Sequence, residues 1–328
     1  MSRSGKAVLL GVVTVLVLGL GWLVVSWVRG ISSFTAAPGP ECLVQPAGSS
    51  GGAATTLALV DSSIGATATR LPMNTALSLE AVQLQHASTI NAVGLRRELP
   101  DRARVIALAT ALQESSLRNR PDGDRDSLGL FQQRPSQGWG TVAEISDPVY
   151  ASGKFYDALV EVPDWPSLSL TEAAQAVQYS AFPDAYAKWE PAAGRLVSAL
   201  STAELGLVTC RADAVAPTAD TPERPALDGL SGASPGLATL LAQAEAEMGG
   251  LTATQVAADG RTATAQVAVG SLDASRSAAV LATWTVAHAT GAGVSHVIVT
   301  DRLWFDHAWG ALGQTALPGG QVRVTLAG

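Results

Sequence analysis

The sequence predicts a mainly α domain, preceded by one transmembrane helix and followed by a small α+β domain. Three observations predict it. Residues 7–28 form an uncharged stretch of 22 residues, long enough to cross the hydrocarbon core of a bilayer as a helix. Residues 78–205 repeat their apolar side chains at the three- and four-residue spacing of amphipathic helices. Residues 234–328 mix that spacing with the strict alternation of strands. A length of 328 residues fits about two domains beyond a targeting segment, and 47% apolar residues suffice for ordinary cores.

Residues 1–29 read as a cytoplasmic tip and an anchor. Arg3 and Lys6 precede the apolar stretch and only Arg29 follows closely, a bias that puts the N-terminus inside and the bulk of the chain outside, as a single-pass protein of the cytoplasmic membrane. The alternative is a cleaved signal peptide and a secreted chain, with Thr35-Ala36-Ala37 as a weak cleavage site, but the apolar run is longer than signal peptides use. Residues 30–75 are rich in Gly, Ala, Ser, Thr and Pro and read as an extracytoplasmic tether, with one short extended piece at 56–61.

The helical domain spans 76–210. Ser78 caps a first helix carrying Leu79, Val82, His86, Ile90 and Val93. Pro100 and Asp101 open a second, with Val105, Leu108, Ala109 and Leu112, ending near Ser116. A loop from Asn119 to Glu144 follows. Asp147-Pro148 pairs an N-cap with proline at the first helical position, starting a helix to about Val160. Ser169-Leu170-Thr171-Glu172 is a capping box for a helix through Tyr179. Asp184 opens a last helix, bent at Pro191 and continuing towards Leu205. A second linker at 211–233 carries Pro217, Pro222 and Pro225. In the domain at 234–328, residues 234–248 and 275–290 look helical. Residues 252–257 and 262–269 alternate as strands around an Asp259-Gly260 turn, and 294–300 and 321–326 are further strands. No internal repeat is present.

Composition narrows the function. The net charge of −7 argues against nucleic-acid binding, which needs a basic face. Six of the eight Trp lie beyond the anchor; Trp stacks on sugar faces but is ordinary core material too. The four histidines, His86, His288, His296 and His307, are scattered without ligand spacing, so neither metal nor cofactor is expected. Cys42 and Cys210 are the only two cysteines; in an oxidising compartment they can form one disulfide, the alternative being two unrelated thiols.

The chemistry concentrates in Ala107–Ser116 and Asp126–Pro135. An apolar helix runs into a lone acid, Glu114, and a polar loop with Asp122, Asp124 and Asp126 follows. A carboxyl at the end of a buried helix loses solvation, which favours its protonated form. Such an acid can donate a proton to a poor alkoxide leaving group, as glycosidic cleavage requires. Gln132 and its neighbour Gln133 offer amides for substrate hydroxyl or acetamido groups. The alternative for Glu114 is a helix-end acid paired with Arg118 at i+4. For the loop acids it is a solvated turn, or salt bridges to Arg120 and Arg125.

Glu114-Ser115, then Gly129-Leu130-Phe131-Gln132, then an aromatic-bearing helix resembles the soluble lytic transglycosylase and goose-type lysozyme families. The run Gly129–Gly140 is similar to a variant common among actinobacterial wall proteins. The resemblance covers residues 78–205 and implies a lysozyme-like fold for the mainly α domain, and cleavage of peptidoglycan glycan strands without a cofactor. It implies Glu114 as catalytic acid and base, with Asp126 (or Asp124) as a second catalytic acid that positions water in the lysozyme mode. It further implies substrate contacts from Ser115, Gln132, Gln133, Tyr179 and Tyr186. The families' later Ala-Tyr-Asn-Ala-Gly element is met only loosely, by Val177–Ala181 and Ala185-Tyr186, and its Asn-Ala-Gly part is absent. The rival expectation is a non-catalytic, glycan-binding or scaffold module of an envelope, conjugation or secretion assembly. In the C-terminal domain Asp301, Asp306 and His307 stand near Trp304 and Trp309; a catalytic reading competes there with polar residues that simply finish a strand end, and the domain as a whole is expected to bind wall polymer or an envelope protein.

Overall fold

The computed structural model describes residues 42–48, 55–58, 75–179, 183–211, 227 and 230–328. It corrects the expected fold class: the chain is mixed α/β, not mainly α, and its strands form two sheets. The first sheet has the order β2-β3-β1-β4, built from β1 (Cys42–Val44), β2 (Thr55–Ala58), β3 (Thr75–Leu79) and β4 (Val208–Cys210). β2 runs parallel to β3, and β1 pairs antiparallel with both β3 and β4. These strands are three to five residues long, too short for alternation to stand out in the sequence. β1, β2 and the first residue of β3 fall in the stretch expected to be a tether with one short extended piece. What holds them is non-local: Cys42 faces Cys210 in register, the two are disulfide-bonded, and the Arg195 guanidinium donates to the Thr75 carbonyl.

The expected membrane placement is also corrected. Among the described residues no helix is long and apolar enough to cross a membrane. The 7–28 stretch on which that expectation rested lies outside the described residues, as do the proposed cleavage site and most of the second linker.

The first group of helices is α1 (Ala81–Arg96), α2 (Asp101–Ser115), α3 (Val142–Ile145), α4 (Pro148–Val160), α5 (Leu170–Gln178) and α6 (Glu190–Ser201). Ser78 lies inside β3, and Glu80 takes the N-cap position of α1. Its backbone N–H donates to Gln83 Oε1 at 3.0 Å. Asp147 caps α4 through the Val149 N–H, and Ser169 and Glu172 close the box that starts α5. Pro191 opens α6 rather than bending a longer helix, because 3₁₀ turns at Pro183–Ala185 and Ala187–Trp189 occupy the preceding segment; a proline is tolerated in a first turn, where its missing N–H would have no partner. Helices α2 and α6 pack side by side, with α1 across α2 and α4, over a fully buried core that includes Ile106, Leu108, Phe131 and Phe155. Phe131 and Phe155 stack with centroids 4.7 Å apart, which pins the Gly-Leu-Phe-Gln segment to the helical core.

The remaining chain forms α7 (Pro235–Met248), β5 (Leu251–Val256), β6 (Thr262–Val267), α8 (Ala274–Ala287), α9 (Ala289–Ala292), β7 (Val294–Val299), β8 (Arg302–Phe305), β9 (Ala308–Ala311) and β10 (Gln321–Leu326). The strands make one antiparallel sheet in the order β5-β6-β10-β7-β8-β9. Val322, Val324 and Leu326 alternate inward, onto the face that α8 covers. Helix α1 packs against both α7 and α8, so the helical half and the six-stranded half share a core.

Candidate active site at the end of α2

Helix α2 ends in a Schellman-type turn directly after Glu114. The Leu117 N–H reaches back to the Ala111 carbonyl and the Ser116 N–H to the Leu112 carbonyl, each at 3.1 Å. Ser116 and Leu117 both adopt left-handed backbone, with φ of 54° and 58°, a conformation that costs a side-chain-bearing residue roughly 1–2 kcal/mol. Side chains from α1 compensate. Gln83 Nε2 donates to the Ser116 carbonyl at 2.9 Å, and His86 Nδ1 lies 2.7 Å from the Leu117 carbonyl. Arg118 pairs with Glu80 at 2.6 Å. The i+4 pairing of Arg118 with Glu114 is therefore not made.

Glu114 has a different partner. The half-buried carboxyl accepts a hydrogen bond on Oε1 from the Tyr186 hydroxyl at 2.6 Å, and Tyr186 is itself fully buried. The tyrosine sits between the two 3₁₀ turns, 72 residues along the chain. A hydroxyl held in a packed core is a fixed donor, and a hydrogen bond to an ionisable group is stronger than a neutral one. Next to Glu114, Gln113 Oε1 accepts from Trp189 Nε1 at 2.9 Å. Trp189 is a core residue with its N–H satisfied.

Ser115 is buried, and its hydroxyl lies 2.8 Å from the Leu130 carbonyl and 3.0 Å from that of Ala111. It joins the end of α2 to the Gly-Leu-Phe-Gln segment instead of facing substrate. That segment is folded into a small paired structure, with Gly129 bridged to Arg120 and Leu128 to Gln133. Gly129 has φ of +75°, and a Cβ there would stand 2.7 Å from the Ile145 carbonyl, so only glycine fits. The Phe131 carbonyl accepts from Gln178 Nε2 at 2.8 Å, which ties the end of α5 to the same place.

The loop residues fare unequally. Asp126 accepts from Arg134 Nε at 2.8 Å and from the Ser136 N–H at 2.8 Å. The Ser136 hydroxyl and N–H, followed by the Arg134 guanidinium, hold its carboxyl well below the usual carboxylate range. It is an ionised brace of the loop. Asp124 is exposed, 3.9 Å from Arg125. Gln133 is buried and donates to the Ala151 carbonyl at 3.1 Å, a structural contact. Gln132 is half-buried, with φ of 48° and its amide 3.3 Å from the Gly129 carbonyl. Its Oε1 closes on Gly123, where a Cβ would meet it at 1.8 Å. Tyr179 caps α5 in left-handed backbone and is 86% exposed; Ser180 and Ala181 lie outside the described residues.

Of the expected site residues, then, the fold joins Glu114, Ser115 and Tyr186 and brings the backbone of Leu130 and Phe131 to them. It assigns Asp126 and Gln133 to the scaffold. Gln83, His86 and Gln178 escape sequence reasoning, although Gln83 and His86 carried a signal: polar side chains three residues apart on a largely buried helix. Among the described residues no three His, Cys, Asp or Glu side chains group to hold a metal ion. No protein-family model matches the chain, and no curated protein matches it.

Proposed function

We propose that the chain is a peptidoglycan-cleaving enzyme of the lytic transglycosylase type, acting on the β-1,4 bond between N-acetylmuramic acid and N-acetylglucosamine with Glu114 as general acid and base. The observation that carries this is the hydrogen bond from the buried Tyr186 to Glu114, at a helix end tied through Ser115 to the Gly129–Gln132 segment. With Oε1 accepting from tyrosine, Oε2 is the oxygen through which Glu114 would pass a proton to the bridging oxygen. Glu114 gives that proton to the leaving oxygen as the glycosidic bond breaks. The muramic 6-hydroxyl then closes on C1, its proton returns to Glu114, and a 1,6-anhydro end is left. This route needs one carboxyl. The bracing of Asp126 by Arg134 and Ser136 favours it over a muramidase route, in which a second acid positions water.

A second reading is favoured by the missing Asn-Ala-Gly element: a lysozyme-like module that binds glycan without cutting it, as part of an envelope assembly. Digestion of purified peptidoglycan separates the two. Anhydro-muropeptides released by the native chain and not by Glu114→Gln are the expected result, and mass spectrometry of the product ends distinguishes anhydro from reducing termini. Binding without release would overturn the enzymatic reading.

A further inference from the structure

A second site stands on the face of the six-stranded sheet that α8 leaves open. Alternation along β10 turns Val322, Val324 and Leu326 inward, so Arg323 points the other way. There it stands in register between Thr264 of β6 and Ile298 of β7. The chain from Leu312 to Pro318 arches over this spot. Its two feet are fixed to the β7–β8 turn: the Leu312 N–H donates to the Asp301 carbonyl at 2.8 Å and the Leu317 N–H to the Thr300 carbonyl at 2.9 Å. Arch and sheet form a cavity of about 380 Å³, within the size range of ligand sites. Ile298, Leu312, Leu317 and Pro318 supply its apolar walls, and Gln314, Thr315 and Arg323 its polar groups.

The guanidinium gives the cavity its chemistry. It is half-buried, and its Nε donates to the Thr264 hydroxyl at 3.3 Å, which holds one edge of the fork. Among the described residues Nη1 and Nη2 have no hydrogen-bond partner and meet no carboxylate. Gln314 and Thr315 likewise make no hydrogen bond among the described residues. In a chain of net charge −7, a guanidinium set in an apolar-walled cavity and left without a carboxylate is a place for an anion. No second Lys or Arg among the described residues lines the cavity, so its charge matches one carboxylate better than a doubly charged phosphate. We propose that this cavity binds the C-terminal carboxylate of a short peptide ending in small apolar residues, here the D-alanyl-D-alanine end of a peptidoglycan stem peptide. The carboxylate takes the Nη1 and Nη2 edge of Arg323, the methyl groups pack on Ile298, Leu312 and Leu317, and Gln314 and Thr315 bond the peptide groups. The carboxylate chemistry stands without Glu114; the choice of a stem peptide rests on the function proposed above. A stem whose end has been joined to a neighbour has its carboxyl converted to an amide, so the site would hold strands with free stem ends on the protein between cuts.

The test is titration of the full native chain with the pentapeptide L-Ala-γ-D-Glu-L-Lys-D-Ala-D-Ala, which carries no glycan for Glu114 to cut. The readout is the backbone ¹H–¹⁵N resonances of Gly313–Ala316. A saturable shift is expected, weakened about ten-fold or more by amidating the peptide's C-terminus and by Arg323→Gln. Arg323 makes one hydrogen bond and faces the open side of the sheet, so the thermal midpoint of the variant should stay nearly unchanged. The amidated peptide tests the same contact on the unaltered chain. Resonances that the pentapeptide does not move, or that acid and amide move equally, overturn the proposal. So does equal or tighter binding of an all-L peptide ending in L-Ala-L-Ala, which would give the cavity to a protein C-terminus, or of inorganic phosphate. The peptidoglycan digest reports on Glu114 alone, so the peptide site and the enzymatic reading can fail separately.

Discussion

Replacing Glu247 with alanine should destabilise the chain severely, although the residue lies far along the sequence from the candidate active site. Glu247 is fully buried on α7. Its Oε1 accepts from the Thr89 hydroxyl of α1 at 2.9 Å and from the Gln243 amide at 2.5 Å. Its Oε2 accepts from the Trp284 indole of α8 at 2.6 Å. His288 Nε2 lies 3.6 Å from Oε1, and its ring stacks on Trp284 at 3.8 Å. Thr89 also reaches the Gln85 carbonyl, so alanine would deprive chiefly Trp284 and Gln243 of an acceptor and leave His288 without the carboxylate beside it. Each buried polar group left unsatisfied costs about 1–3 kcal/mol, and removing one member of a buried charge pair costs about 3–5 kcal/mol. The two routes agree on a loss of about 3–5 kcal/mol, a large share of the roughly 5–15 kcal/mol that holds a domain folded. The pH dependence adds a second check. Burial alone would raise the Glu247 carboxyl, but the charge of His288 and hydrogen bonds from His288, Trp284 and Gln243 outweigh it. The net direction is below the ordinary value of 4.5. Its stabilisation is therefore complete above that value and is lost as pH falls through the lower folded one. Urea unfolding of native, Glu247→Ala and Glu247→Gln chains at pH 7 and at successively lower pH measures both effects. The gap between native and Glu247→Gln should shrink on acidification below about pH 4.5. An alanine variant within about 1 kcal/mol of the native chain at pH 7, or a gap that widens in acid, would refute the reasoning.

Other consequences follow from the same geometry. Tyr186→Phe should lower anhydro-muropeptide release about 10- to 100-fold while leaving the fold intact, since it removes a hydrogen bond worth roughly 1.5–3 kcal/mol to the carboxylate that forms as Glu114 gives up its proton; an unchanged rate would show that the Tyr186 hydroxyl does not position the acid. Replacing Cys42 and Cys210 together with serine should cost about 5 kcal/mol, from the loop-closure entropy of a 168-residue separation. Denaturant midpoints of oxidised native chain and variant measure it, and equal midpoints would count against the disulfide as the main tie of the first sheet.

Much of the local architecture was legible because its causes are local. The Asp147-Pro148 start of α4 and the Ser169–Glu172 box of α5 are contacts between residues two or three apart, visible in any reading of the chain. The Glu114-Ser115 and Gly129–Gln132 elements were likewise visible as motifs. Where local signals end, the sequence reading goes astray. Cys42–Val44, Thr75–Leu79 and Val208–Cys210 are too short for periodicity, and they become strands only because distant partners complete their hydrogen bonds. The same holds for β8 and β9, whose hairpin turns on Asp306 and His307 without the glycine that usually marks such a turn.

By itself the sequence determined where α2, α4 and α5 begin and which acid stands at the end of α2, whereas the need for glycine at 129 comes from the Ile145 carbonyl packed against it. Only the tertiary structure decided that Arg118 belongs to Glu80 and Tyr186 to Glu114, that Asp126 and Gln133 brace a loop, and that Glu247 lies buried between α1 and α8. The reason is physical: what a carboxylate does depends on which donors surround it, and in this chain those donors arrive from elements tens of residues away.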